Sequence, residues 1–325
     1  MIWNAAKGGM RSVVEAYVRD GLIESESIRL IAAYCDGSFV KRQVLLVGSL
    51  ISFARLLTLH RVGFVHIHAA MRGSFWRKAL FAAIARRFRV PVVLHLHGSE
   101  MKLFYASQRA VVQRMIRAQL EAADRVLVLS SSWRNFIADI APQANVTVVS
   151  NYVHIPAYFN STLRPANKLL FLGLVGDRKG VFDLLQAFVE VVREHPEARL
   201  VIGGNGEIER AMVTASRLGL KNHVELAGWV DGAKKEQLIA EAGIYILPSH
   251  NEGLPMSVLE AMAAGLAVIT TKVGGIPELI TDRSHGMLID AGDKLALANA
   301  IAELIRNDTL RISLMEGARK RVIQA

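Results

Sequence analysis

Short apolar, β-branched runs alternate along this chain with longer stretches of helical period. In the first half the strand candidates are SIRLIAAY (27–34), FVHIHA (64–69), VVLHLH (92–97), RVLVLS (125–130) and VTVVS (146–150). In the second they are KLLFLG (168–173), ARLVIGG (198–204), HVELAG (223–228), IYILP (244–248) and AVITT (267–271). Runs this apolar are buried on both faces, the habit of parallel strands joined by crossover helices. The pattern predicts an α/β protein of two doubly wound parallel-sheet units in series. Between them NYVHIPAYFNSTLRPAN (151–167) interrupts the alternation with prolines, asparagines and aromatics. The boundary is placed there, giving domains of residues 1–160 and 161–325. Ligands of such sheets bind at the carboxyl ends of the strands, so the cleft between the halves is the expected site.

A chain of 325 residues exceeds what one core usually organises. Cys35 is its single cysteine, which excludes an internal disulfide framework and a thiolate metal site and fits a reducing cytoplasm. MIWNAAKGGM does not read as a secretory signal. VLLVGSLISFARLLTL (44–59) is interrupted by Arg55 and falls short of a spanning helix, so no segment is expected to cross a membrane. Charge divides unevenly. Residues 1–165 hold 21 Lys and Arg against 9 Asp and Glu, a net of +12, and residues 166–325 hold 18 against 20, a net of −2. The basic half favours anionic partners, or is a solvated basic surface.

HNEGLPMSVLEAMAAG (250–265) sets Glu252 and Glu260 on either side of an apolar run. IYILP ends a strand, SHNEG is a polar turn, and Pro255 suits the first turn of a helix over about 255–264. Gly265 closes that helix. The helix N-terminus near Gly253, Leu254, Pro255 and Met256 is an anion site. Glu252 faces what that terminus binds, and Glu260 lies on the helix body. The bland alternative makes Glu252 an N-cap and Glu260 an exposed helix residue.

The stretch HNEGLPMSVLEAMAAGLAVITTKVGGIPELI resembles the signature of the retaining, nucleotide-sugar-dependent glycosyltransferases of family four (glycosyl transferases group 1), in which two glutamates are separated by seven residues. The likeness extends through FLGLVGDRKGVFDLLQAF (171–188), LVIGGNGEIE (200–209) and VELAGWV (224–230), and more loosely to KGGM (7–10) and HLHGSE (95–100). It implies the GT-B fold, two Rossmann-like domains facing across a cleft, with acceptor bound by the first and donor by the second. By position it implies that Glu252 contacts hydroxyls of the donor sugar, Glu260 those of the ribose, and Lys179 the diphosphate. Where the family usually has an arginine after the glycine of FLG, this chain has Leu174; Arg178 is the cation able to substitute. Gly204, Asn205, Gly206 and Glu207 resemble the glycine-rich loop beside the nucleotide, and Trp229 falls where the base is held, with a structural core role as its rival.

In the first half, Lys7, Gly8 and Gly9 resemble the loop after the first strand, and His97 resembles the family's active-site histidine. His66, His68 and His95 compete with it. Histidines two apart share a strand face and suggest a metal pair, but no carboxylate or cysteine ligand stands near, and the resemblance implies a metal-independent enzyme. The first strand looks clipped and the family's final return helix looks absent, so the chain resembles a fragment.

The reaction implied is transfer of a hexose from a UDP- or GDP-sugar, a donor substrate rather than a cofactor, to an acceptor hydroxyl with retention. The leaving diphosphate helps remove the acceptor proton, and Glu252 orients rather than attacks. The implied acceptor is a glycan or lipid-linked intermediate of bacterial surface polysaccharide, exopolysaccharide or lipopolysaccharide. The implied location is the cytoplasm, peripheral on the inner face of the cell membrane, whose anionic surface is a further partner. FWRKALFAAIARRFR (75–89) scatters its basic residues around the axis at about 100° per residue, which favours a helix packed on the sheet over a membrane helix. Two alternatives are a sugar-nucleotide epimerase of the same fold and a nonenzymatic basic binder. Nucleic acid is not expected, because no aromatic or arginine-rich reading element is present.

Overall fold

The computed structural model describes residues 1–3, 5, 8–59, 62–157 and 164–324. Lys7 lies outside the described residues. The chain divides into two compact units, Met1–Asn151 and Tyr152–Ala325.

The N-terminal unit contains β1 (Ile2–Trp3), β2 (Ile31–Ala32), β3 (Val65–Ala69), β4 (Val92–Leu96), β5 (Arg125–Val128) and β6 (Val146–Val148). They form a parallel sheet in the order β2-β1-β3-β4-β5-β6. Its core gathers Ile67, Phe53, Phe81, Leu94, Val126 and Ile137, all buried. The Gly73–Arg87 helix turns Phe75, Lys78, Phe81, Ala82 and Ala85 inward. FWRKALFAAIARRFR thus packs on the sheet and leaves its arginines at the ends. Lys78 goes inside as well, only 1% exposed, and among the described residues its Nζ has no hydrogen-bond partner.

The Phe39–Leu59 helix corrects the sequence reading of 44–59. It begins at Phe39, which makes it long and apolar enough, by length and composition, to cross a membrane, and 11% of its apolar window is buried. Ser49, Phe53 and Leu57 face inward, while Val40, Val44, Val47 and Ile51 are each more than half exposed.

The C-terminal unit contains β7 (Lys168–Leu172), β8 (Arg199–Gly203), β9 (Val224–Gly228), β10 (Ile244–Leu247), β11 (Ala267–Thr271) and β12 (Met287–Ile289). All pair in parallel in the order β12-β11-β10-β7-β8-β9. β10 and β11 are buried at every residue, as expected of central strands covered on both faces. The strand order reverses between β7 and β10, and such a reversal opens a crevice at the carboxyl ends.

Candidate active site

Two loops leave the sheet at that reversal: residues 173–180 after β7 and residues 248–255 after β10. The first ends in a single 3-10 turn, Asp177–Lys179, closed by Gly180 at φ +71°, where a Cβ would sit 2.0 Å from the Pro248 carbonyl oxygen. Only glycine lets the turn bearing Arg178 and Lys179 close on the second loop. Beneath that loop Gly274, at φ +60°, leaves room for the Glu252 carbonyl oxygen, which would lie 2.0 Å from any Cβ there.

The loops meet at Glu252. Lys179 Nζ donates to Glu252 Oε1 at 2.5 Å, and the Ser249 hydroxyl donates to the same oxygen at 2.6 Å. Glu252 is 5% exposed and Ser249 fully buried. A carboxylate so deep is tolerated because a cation and a hydroxyl both serve it. The Thr271 hydroxyl fixes Ser249 in turn, donating to its carbonyl at 2.6 Å. Arg178 lies beside this group, its Nη1 donating to the Asn251 carbonyl at 3.4 Å while its own carbonyl accepts from the His250 N–H at 2.9 Å.

Glu252 is therefore not an N-cap. The Met256–Ala263 helix starts after Pro255, its cap residue at ψ 124°, and among the described residues no side-chain cap hydrogen bond is made there. Gly253, Leu254 and Pro255 are buried in the approach. At the other end Gly265 takes φ +70°; its N–H donates to Met262 O and that of Leu266 to Ala261 O. That paired closure needs glycine at Gly265 and ends the helix where the sequence expects. Glu260, on the helix body, accepts from Lys235 Nζ at 2.7 Å, both side chains partly buried.

The glycine-rich loop is zipped to the same sheet edge. The Gly204 N–H donates to Gly228 O at 2.6 Å, the Val175 N–H to Asn205 O at 2.7 Å, and the Glu207 N–H to Val175 O at 2.8 Å, with Gly206 between. Glu207 pairs with Arg210 at 2.7 Å, and Arg210 also reaches Asp177 at 2.8 Å. Trp229 follows Gly228 and donates from Nε1 to Asp231 Oδ2 at 2.8 Å.

In the N-terminal unit Gly8 takes φ +146° and caps the Gly9–Arg19 helix, its carbonyl accepting from the Arg11 and Ser12 N–H groups. His97 follows β4, its N–H bonded to Ala69 O at 2.8 Å. It does not stand apart from its three rivals. His68 Nδ1 and His97 Nε2 are 2.8 Å apart, and His66 Nε2 and His95 Nδ1 are 3.2 Å apart. Burial, then the N-terminal ammonium, pushes His66 down to about 4. Burial, then His66, pushes His97 down to about 3. Burial, then neighbouring histidines, lowers His68 and His95 as well. All four rings are neutral at pH 7.

Two family comparisons bear on these residues: Glycosyl transferases group 1 matches residues 157–321, and Glycosyl transferase 4-like domain matches residues 24–152. The chain belongs to the glycosyl transferases group 1 family. Among curated relatives, the N-acetyl-alpha-D-glucosaminyl L-malate synthase of Bacillus anthracis is 26% identical over 80% of this chain and 70% of its own length. The phosphatidyl-myo-inositol mannosyltransferase of Mycobacterium leprae is 30% identical over 68% of this chain and 59% of its own. The chain thus spans between about three fifths and seven tenths of these relatives. Among solved structures, HepE of Anabaena in complex with UDP is similar at TM-score 0.71 and 18% identity, covering 99% of this chain and 94% of that one. The sucrose-phosphate synthase of Thermosynechococcus elongatus reaches 0.77 at 19% identity, covering 99% and 91%. The fold is the two-domain α/β GT-B fold.

In this group 1 chain the C-terminal unit brings together Glu252, Lys179 and Arg178 at the reversal, with Gly253, Leu254 and Pro255 in the same loop. Glu260 sits on the helix that this loop feeds. Gly204, Asn205, Gly206, Glu207 and Trp229 occupy the adjoining edge. Gly8, Gly9 and His97 belong to the N-terminal unit. Ser249, Lys235 and Arg210 escaped the sequence reading. Ser249 had a signal, since it opens the SHNEG turn; Lys235 had none, because only folding brings it to Glu260.

Proposed function

We propose that this chain is a retaining hexosyltransferase. It takes a UDP- or GDP-sugar as donor substrate and passes the hexose to a hydroxyl of a glycan or lipid-linked intermediate in bacterial surface polysaccharide synthesis. The observation that carries this reading is the Lys179–Glu252–Ser249 group at the sheet reversal. Lys179 offers an ammonium with three donors, of which Glu252 takes one; the others suit a diphosphate. Both bonds to Glu252 fall on Oε1, and among the described residues Oε2 takes none, which suits it to neutral sugar hydroxyls. The HepE structures in complex with UDP and with UDP-glucose support a nucleotide sugar as donor.

In the proposed step the bond from the anomeric carbon to the leaving phosphate oxygen breaks through an oxocarbenium-like state. The acceptor oxygen bonds that carbon on the same face, and its proton passes to the leaving diphosphate. Lys179, with Arg178 beside it, stabilises the charge that builds on the leaving group, the work a metal ion does elsewhere. Glu252 orients the sugar, Glu260 holds the ribose, and the neutral His97 ring contacts substrate. No resident cofactor is invoked. The proposed location is cytoplasmic and peripheral to the membrane. The test is nucleoside diphosphate release across a panel of donor sugars with a lipid-linked acceptor supplied. Acceptor-dependent release from one donor supports the reading, and release from none overturns it.

A further inference from the structure

β3 and β4 pair in a register that sets His68 opposite His95, and side chains two apart on a strand share a face. His66, His68, His95 and His97 therefore stand as a two-by-two array of rings on one face of the N-terminal sheet, neighbouring centroids 4.1 to 5.4 Å apart. One ring nitrogen from each of His66, His68 and His95 lies within 4.8 Å of the other two. His66 Nε2 and His95 Nδ1, 3.2 Å apart, are spaced close to the edge of roughly 3.4 Å in a tetrahedron with metal–nitrogen bonds of about 2.0–2.1 Å. His68 is buried, and among the described residues its Nε2 has no hydrogen-bond partner. An unpaired buried nitrogen costs free energy that a bound ion would recover.

We propose that His66, His68 and His95 form a binding site for a divalent first-row transition metal of the zinc class. Two ligands come from alternate positions of one strand and the third from its neighbour. Three imidazoles with a fourth position left to water make a familiar tetrahedral set. An all-nitrogen donor set disfavours Mg²⁺ and Ca²⁺, which prefer oxygen. The contact of His68 Nδ1 with His97 Nε2 is the outer hydrogen bond that fixes the tautomer of a metal-binding histidine. Sequence alone gave two His-x-His pairs; only the β3–β4 register joins them.

The test needs no sugar nucleotide, so it succeeds or fails separately from the glycosyl-transfer reading. The full chain, dialysed against chelator, is titrated with Zn²⁺ by calorimetry and with Co²⁺ in the visible. The expected result is one saturable Zn²⁺ equivalent and the intense colour of tetrahedral Co²⁺. His66→Ala and His95→Gln should each weaken Zn²⁺ at least about tenfold, and His154→Ala, at an exposed histidine, should change nothing. His66 is only half-buried, so its variant keeps the test alive where His95→Gln fails to fold. No saturable binding, an octahedral Co²⁺ spectrum, or equal affinity in His66→Ala overturns the site.

Discussion

At the scale of single residues, the account turns on Glu252 and Glu260 having different partners. Glu252→Gln keeps size and an acceptor for Ser249 but loses the charge proposed to face the reacting carbon, so kcat should fall with little loss of affinity for free nucleotide. Glu260→Gln should weaken nucleotide itself. A helix-stability role would instead lower Tm and activity in parallel in both; kinetics and calorimetry on folded variants separate the two. Lys179→Ala should weaken nucleoside diphosphate binding by about 1.5 to 3 kcal/mol, the worth of one charge-assisted bond. It should also lower Tm, since it strips the cation from a carboxylate that is 5% exposed. Unchanged affinity in calorimetry would remove Lys179 from the diphosphate. The glutamates and Lys179 were legible because they sit in contiguous motifs. Lys235 was not, because its contact with Glu260 is made only by folding, across two separate helices; Ser249 showed only as the opening of the SHNEG turn.

Among the elements, strands lying in apolar runs were readable, even β2 and β6 with only two and three residues. β12 escaped because its three residues stand alone between Gly286 and Asp290, too few for a period to declare itself, and it is held by β11; β1, with two, is the first strand expected to look clipped. The Phe39–Leu59 helix was read too short because Lys41 and Arg42 hide its apolar start. Lys78 went unnoticed because its helix was read from its charged ends. It lies against a cavity of about 10 Å³ lined also by Arg86 and Gln119. Burial first, and Arg77 second, pushes its ammonium down to about 7 from the ordinary 10.5. Between those two pH values the unfolded chain holds a proton that the folded chain has shed. Stability from this group therefore rises as pH climbs from about 7 to about 10.5 and is lowest below 7. Lys78→Met should raise Tm at pH 6.5 and flatten that rise. Thermal melts in which the variant keeps the wild-type pH dependence would refute this.

On the scale of the whole molecule, the sequence carries a charge division, +12 in residues 1–165 against −2 in the rest, that composition alone averages away. If the proposed membrane association holds, vesicle sedimentation should depend on anionic lipid and fall with salt, because surface attraction is screened within about 10 Å at 0.1 M. Equal binding to neutral vesicles would contradict an electrostatic origin. The two-sheet plan was legible because buried parallel strands write their burial directly into sequence; donor and acceptor were not, since they depend on side chains that no strand period specifies. The central claim is retaining transfer from a nucleotide sugar, and the most direct measurement is the anomeric configuration of the product, read by NMR after turnover of an α-linked donor. The account predicts an α-linked product that forms with wild type and is strongly reduced with Glu252→Gln; a β-linked product, or equal turnover by both proteins, would contradict it.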